Sequence, residues 1–144
     1  MPLYILSKEH ELHEIILERR LNIIVFTVCW SLGSKMILST IFDLSYEKNL
    51  THTNFYRIDI DENNLEFMQR LNIMTIPTIQ WYFHGNKLDE IIGLDIESLI
   101  NKTHHLAMIY KRKTIKETST IKLISSTDEN TINEYIEKKN FMIN

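Results

Sequence analysis

The fold is decided by a stretch that reads NIIVFTV from Asn22 to Val28 and continues as CWSLGSKM from Cys29 to Met36. Its first half is β-branched and almost continuously apolar, which is typical of a central strand buried on both faces. Its second half contains a break, after which apolar residues recur at helical spacing from Ser34 to about Tyr46. The stretch therefore predicts a buried strand that passes through a short loop into an amphipathic helix.

Further strands and helices alternate on both sides of this stretch. The pattern predicts strands over Leu3–Leu6, Phe55–Ile60, Thr75–Phe83 and Leu88–Ile92, and helices over Ser7–Arg20, over Leu65–Leu71 and after Asp95. Strands that alternate with helices favour an α/β fold in which a mixed central sheet is flanked by helices. Because a short turn joins the last two strands, they must be antiparallel.

Composition restricts the chemistry available to this chain. Its 144 residues are 44% hydrophobic and 24% charged, as in an ordinary globular domain. Cys29 is the single cysteine, so an internal disulfide and a four-cysteine zinc site are both excluded. The net charge of −3 does not call for direct contact with nucleic acid or with a membrane. No signal-peptide pattern is visible at the start, and a cytoplasmic protein is expected.

Several short motifs occur together in an order that resembles the thioredoxin family. Trp30-Ser31-Leu32-Gly33-Ser34-Lys35-Met36 is similar to the family's W-C-G-P-C-K-M, and Ile76-Pro77-Thr78 to its later I-P-T. Further motifs of the family are matched by Asp59–Asn63, Tyr82–Asn86 and Gly93. The resemblance therefore covers about residues 3 to 109. It implies the thioredoxin fold for this part of the chain.

The departures from the family pattern concern its redox chemistry. Ser31 and Ser34 stand at both motif cysteines, and Val25 stands where the resemblance implies a buried aspartate that assists proton transfer. A hydroxyl attacks a disulfide far less readily than a thiolate does, and two serines cannot store electrons as a disulfide. The sequence therefore predicts no catalytic residues and no cofactor, and favours a protein that is not an enzyme.

The resemblance also implies a surface that binds an extended peptide or another protein. In the family this surface surrounds a cis-proline, and a cis bond is accordingly expected between Ile76 and Pro77. We interpret the chain as a redox-inactive binding or adaptor module, although the same residues could serve only to preserve the fold. The residues at the corresponding positions are Trp30, Leu32, Gly33, Thr75, Ile76 and Pro77.

Two other functions stay open at this point. The first is an oxidoreductase or isomerase-like protein with residual single-thiol or chaperone activity, for which Cys29 is the possible reactive thiol. Because Cys29 precedes Trp30 instead of following it at the helix start, an inert, part-buried thiol is the preferred interpretation. The second is a scaffold that resembles the thioredoxin-like proteins of splicing-type ribonucleoprotein assemblies.

No pattern of residues predicts a metal site. His10 and His13 lie three positions apart on one predicted helix, and Asp59 and Asp61 follow a strand. Both pairs are expected to be solvated. The basic run Lys111–Lys113 is interpreted as a linker, in preference to a nucleic-acid patch.

The remaining tail divides the chain into three parts. We expect a thioredoxin-like domain over 1–110, a linker over 111–120 and an extension over 121–144 that begins with a strand at Ile121–Ile124. The extension resembles the start of the chain at an offset of 120 residues, since Glu129 matches Glu9 and Ile136 matches Ile16. It is either the start of a second thioredoxin-like repeat or an unrelated strand and helix.

Overall fold

The structure, a computed structural model, describes residues 3–125, with side chains up to Lys111 and at Lys113. One sheet contains all the strands, in the order β1-β3-β2-β4-β5. The strands are β1 (Tyr4–Ile5), β2 (Leu21–Thr27), β3 (Thr53–Asp59), β4 (Thr78–Phe83) and β5 (Asn86–Ile92). The helices are α1 (Glu9–Ile16), α2 (Leu32–Ser45), α3 (Leu65–Arg70) and α4 (Ile96–Ser125), and a 3-10 turn occupies Lys48–Leu50.

The central strand β2 organises the sheet. It pairs with β3 in parallel and with β4 in the antiparallel sense, and all seven of its residues are buried. This confirms the strand predicted from the apolar run that starts at Asn22. Successive side chains of a strand point to opposite faces, so β2 contributes to a core on each side of the sheet. Ile23 and Val25 belong to one core, and Ile24 and Phe26 belong to the other.

Helices cover both faces of the sheet, as the alternating pattern predicted. One core contains residues of α2 and α4, among them Ile37 and Leu99, and the other contains residues of α1 and α3, among them Leu12 and Phe67. The hairpin of β4 and β5 turns at His84 and Gly85, both of which have positive φ. The result is the mixed, two-sided α/β architecture expected from the sequence.

The carboxyl ends of β2 and β3 meet at one end of the sheet, where the site described below is located. Thr27 and Asp59 are direct partners in the ladder, and the Ile60 N–H donates to the Thr27 carbonyl at 2.7 Å. Since β4 is antiparallel to β2, its first residue, Thr78, lies at this same end, opposite Phe26. The ends of β2 and β3 and the start of β4 therefore meet here.

The expected linker over 111–120 and strand over Ile121–Ile124 are wrong as secondary structure, because α4 runs without a break to Ser125. Lys, Arg and Glu are good helix formers, and the stretch 111–125 contains neither Gly nor Pro to end the helix. The chain divides into two compact units, Met1–Lys111 and Arg112–Asn144. The proposed repeat over 126–144 lies outside the described residues.

Several element boundaries also differ from the prediction. α1 ends at Ile16 instead of Arg20, β5 begins at Asn86 instead of Leu88, and β4 begins at Thr78 instead of Thr75. The last difference has a simple cause, because Pro77 has no N–H to donate to a ladder and the strand starts just after it.

Within residues 3–125, no helix is long and apolar enough to cross a membrane.

Candidate functional site

The loop that follows β2 leads directly into α2, and Ser31 forms the boundary between them. Ser31 has extended backbone angles and caps the helix, since its Oγ accepts a hydrogen bond from the Ser34 N–H at 3.2 Å. The Ser31 N–H in turn donates to the Val28 carbonyl at 3.0 Å. The helix was predicted to begin at Ser34, but the cap lies three residues earlier because serine is a favoured N-cap residue.

The second serine of the motif is held more tightly than the first. Ser34 is only 1% exposed, and its Oγ accepts a hydrogen bond from the Val28 N–H at 3.1 Å. The Ser31 hydroxyl thus satisfies an N–H group in the first turn of α2, and the Ser34 hydroxyl satisfies the N–H of the residue directly after β2. At these two positions the chain has hydrogen-bond acceptors in place of thiols.

The interior beneath this loop is aliphatic. Val25 is completely buried and lies in the sheet between Arg57 of β3 and Ile79 of β4. Arg57 is directed to Asp59, with 3.0 Å between its Nη2 and the Asp59 Oδ2, and Asp59 also accepts a hydrogen bond from the Thr27 hydroxyl. The carboxylate near this end of the sheet is therefore already engaged, and a valine stands at the position expected for a proton-transfer group.

Pro77 lies next to the start of α2. The Ile76–Pro77 peptide bond is cis, and Pro77 is buried. A Cβ placed on Gly33 would come within 3.4 Å of the Pro77 Cδ, and the Gly93 N–H donates to the Pro77 carbonyl at 2.8 Å. Pro77 thus joins the loop after β2 to the segment that follows β5.

Large apolar side chains around Pro77 are directed to solvent. Trp30 is 81% exposed and Leu32 is 73% exposed. On the other side of the proline, Met74 is 88% exposed and Ile92 is 64% exposed, and both line a recess of about 180 Å³. We call Trp30, Leu32, Met74, Pro77 and Ile92 the Pro77 surface.

The predicted binding residues differ in how far they are exposed to solvent. Trp30, Leu32 and Thr75 are exposed, Gly33 and Ile76 are half-buried, and Pro77 is buried. Met74 and Ile92 were missed from the sequence, although each had a signal. Met74 is apolar in a loop, and Ile92 is the last residue of a strand whose preceding residue, Ile91, faces the core.

Cys29 lies on the strand side of the site and is exposed. The expectation of a part-buried thiol is therefore wrong, because β2 ends at Thr27 and the chain leaves the sheet before it reaches Cys29. The thiol also precedes the first residue of α2, Leu32, by three positions. It consequently lies outside the first turn of the helix, where unpaired N–H groups would favour a thiolate.

The histidines and carboxylates considered from the sequence have other partners. His13 lies 3.6 Å from the Glu9 Oε1, and Glu9 also accepts from Arg70, whose hydrogen bond lowers the pKa of that carboxyl. The Asp61 Oδ1 accepts a hydrogen bond from the Asn63 N–H. In the part of the chain that the structure describes, no group of three or more such side chains is placed to hold a metal ion.

Comparison with known proteins agrees with this geometry. No protein-family model matches the sequence. The chain is similar to the mitochondrial thioredoxin O1 of Arabidopsis thaliana, with 30% identity over 86 residues that cover 59% of this chain and 43% of that protein. It is also similar to a thioredoxin of Coprinus comatus, with 28% identity over 103 residues that cover 69% of this chain and 95% of that protein.

Solved structures of thioredoxins share the fold of this chain. Thioredoxin O2 of Arabidopsis thaliana in its oxidised state superposes with a TM-score of 0.63 and 26% identity, over 73% of this chain and 94% of that one. The chain spans less than half the length of the curated Arabidopsis relatives O1 and O2. The chain therefore has the thioredoxin fold and is similar to thioredoxins in both sequence and structure.

Proposed function

We propose that this chain binds extended segments of other proteins non-covalently at the Pro77 surface, and that it does so without dithiol–disulfide exchange. The observation that carries the proposal is the pairing of two features at one site. Ser31 and Ser34 replace the redox thiols with hydrogen-bonded hydroxyls, while Trp30 and Leu32 beside them stay largely exposed.

The exposed side chains support a binding role for physical reasons. A fold gains free energy by burying apolar area, at about 25 cal/mol per Å², so a tryptophan that stays in solvent forgoes a large contribution. Tryptophan is also enriched among the few residues that dominate binding energy in protein interfaces. Trp81, by contrast, is completely buried and donates a hydrogen bond to Thr103. Trp30 is therefore available for contact with a partner.

The hydroxyls support the absence of redox turnover. Reduction of a disulfide requires a thiolate to attack one sulfur and a second thiol to release the resulting mixed disulfide. Ser31 and Ser34 provide neither group, and their oxygens are engaged with backbone N–H groups. The lone thiol, Cys29, has no second cysteine in the sequence that could resolve a mixed disulfide.

A single-thiol function is the second candidate, because Cys29 is exposed. Turnover of a disulfide substrate such as insulin by the wild-type chain and by Cys29→Ser separates the two. The binding proposal expects both to match the uncatalysed rate in dithiothreitol. Catalysis by the wild-type chain that is lost in Cys29→Ser would replace the binding proposal with the single-thiol function.

Binding itself is tested with a matched pair of variants. Leu32→Ser removes an apolar side chain from the Pro77 surface, and Leu17→Ser removes a leucine of similar exposure, 64%, at the end of α1. The affinity for an extended apolar peptide, measured by calorimetry, is expected to fall about tenfold in the first variant only. Equal affinities of the two variants would contradict a role for this surface.

A further inference from the structure

Acidic side chains lie on both sides of the Pro77 surface, in the segments that follow β3 and β5. β3 ends at Asp59, beside the end of β2, and Asp61 and Glu62 follow it directly. β5 ends at Ile92, opposite Thr78, and Asp95 and Glu97 come shortly after it. All four carboxylates are exposed, so one acidic pair lies on each side of the end of the sheet at which Pro77 is located.

Few basic groups balance these carboxylates. Lys35, in the first turn of α2, and Lys8, after β1, are exposed cations on the segments at this end of the sheet. Arg70, at the end of α3, is also exposed but pairs with Glu9. Lys102 of α4 pairs with Asp89 and, after the hydrogen bonds from Ser98, helps to lower the pKa of Asp95. Arg57 pairs with Asp59 and neutralises that carboxylate, so its charge does not offset the carboxylates in the loops beyond. The segments that border the Pro77 surface thus carry more negative than positive charge.

One of the acidic pairs borders a recess that is rich in oxygen acceptors. The recess has a volume of about 280 Å³ and adjoins the end of β3, whose Asp59 is hydrogen-bonded to Thr27. Carboxylate, amide and hydroxyl oxygens accept hydrogen bonds from ammonium and guanidinium groups, which carry several donors each. The residues that line it are Ile5, Leu6, Ser7, Asp59, Asp61, Asn63 and Asn64.

We infer that the partner of this chain is an extended protein segment with an apolar centre and lysine or arginine residues on its flanks. The inference rests on the proposed function and specifies the chemistry of the partner. The apolar centre contacts the exposed side chains of Trp30 and Leu32. The basic flanks pair with Asp61 and Glu62 on one side and with Asp95 and Glu97 on the other. Complementary charge of this kind selects partners and speeds association.

Three synthetic peptides test the inference directly. They share one apolar centre and differ only in flanks of lysine, glutamate or serine. Binding is followed by the fluorescence of Trp30, which shifts to the blue when it leaves water, while the completely buried Trp81 provides a constant background. We expect the lysine-flanked peptide to bind about tenfold more tightly than the glutamate-flanked one at low salt, and the difference to shrink as ionic strength rises.

Charge-matched variants assign the preference to the named residues. The preference is the ratio of the affinities for the lysine-flanked and the glutamate-flanked peptide. In the double variant Asp61→Asn/Glu62→Gln this ratio is expected to fall from about tenfold to about threefold. The control is Glu14→Gln/Glu18→Gln, which removes two exposed negative charges from α1 and from the segment just after it, and it should keep the full preference.

The outcomes distinguish this inference from the proposed function. If all three peptides bind with equal affinity, the charge preference is wrong and the binding function stands. If both double variants lose the preference equally, net charge explains it and the local inference is overturned. If no peptide shifts the fluorescence of Trp30, the proposed function fails and the inference fails with it.

Discussion

The Oγ of Ser34 accepts a hydrogen bond from the backbone N–H of Val28 at 3.1 Å. This contact joins the first turn of α2 to the residue immediately after β2, and Ser34 is almost fully buried where it is made. Ser34, the residue that the sequence resemblance aligns with a motif cysteine, thus has a structural use in this chain.

Replacing Ser34 by alanine should destabilise the protein. The change leaves the Val28 N–H without its partner, and an unsatisfied buried donor costs about 1–3 kcal/mol of unfolding free energy. Urea unfolding followed by circular dichroism measures the loss. Ser39→Ala, at an exposed position of the same helix, is the control and should be neutral. Equal stabilities of the two variants would contradict the role of the hydrogen bond.

Ser31 is expected to show the behaviour of a helix cap. Ser31→Ala removes the acceptor for the Ser34 N–H and should cost about 1 kcal/mol, whereas Ser31→Asp keeps an acceptor and adds favourable charge at the helix start. The order of stability, measured by thermal unfolding, should be aspartate equal to or above serine, and serine above alanine. An alanine variant as stable as the wild type would show that the cap contributes nothing.

Restoring both thiols should restore some disulfide chemistry. In Ser31→Cys/Ser34→Cys the two sulfurs are brought near each other, because the Ser31 Oγ already lies 3.2 Å from the Ser34 nitrogen. We expect insulin reduction above the uncatalysed rate, and no gain in the single variant Ser31→Cys. Adding Val25→Asp should raise the rate further, since it supplies a proton acceptor in the interior. A double variant without turnover would place the defect elsewhere in the loop.

Stability should fall in acid because of carboxylates that are hydrogen-bonded in the folded state. The Ser98 N–H lowers the pKa of Asp95. The pKa of Asp89 is also lowered, since burial, the largest single effect, raises it less than the hydrogen bonds from Lys102 and the Glu90 N–H and the charge of Lys102 together lower it. A depressed folded pKa contributes stability that is present above the ordinary value of 3.8 and is lost as pH falls through the folded pKa.

The variant Asp95→Asn isolates this effect at one residue. Asparagine keeps a side-chain acceptor for the Ser98 N–H but does not titrate. Its stability relative to the wild type should therefore be lower near pH 7 than at a pH below the ordinary value of 3.8, where the wild type loses the contribution of the ionised Asp95. Urea unfolding at both pH values gives the comparison, and parallel pH profiles of the two proteins would refute the assignment.

Much of the fold could be predicted because the decisive signals are local. The apolar run from Asn22 specifies a strand buried on both faces, and all seven residues of β2 are indeed buried. The order of strands and helices then leaves few arrangements of a sheet covered on both sides. The motif at Trp30 and its counterpart at Pro77 lie far apart in sequence, and the fold brings their segments into contact through Gly33.

Other features could not be predicted because they depend on contacts or on exposure. The sequence gives no sign that Ser34 would bond to Val28 or that Arg57 would be directed to Asp59. The exposure of Cys29 depends on where the chain leaves the sheet. The helix beyond Lys111 has no clear apolar periodicity in the sequence, because most of its residues are polar, and its only local signal is the helix propensity of Lys, Arg and Glu.

The hydroxyl pair at the start of α2 has a consequence for the conditions under which this chain acts. Oxygen atoms in serine do not take part in thiol–disulfide exchange, so Ser31 and Ser34 keep one covalent state at any ambient reduction potential. A complex formed beside them has a lifetime set by its dissociation rate alone, with no chemical step to release it. Glutathione can then form a disulfide beside this site only at Cys29, the single cysteine of the sequence.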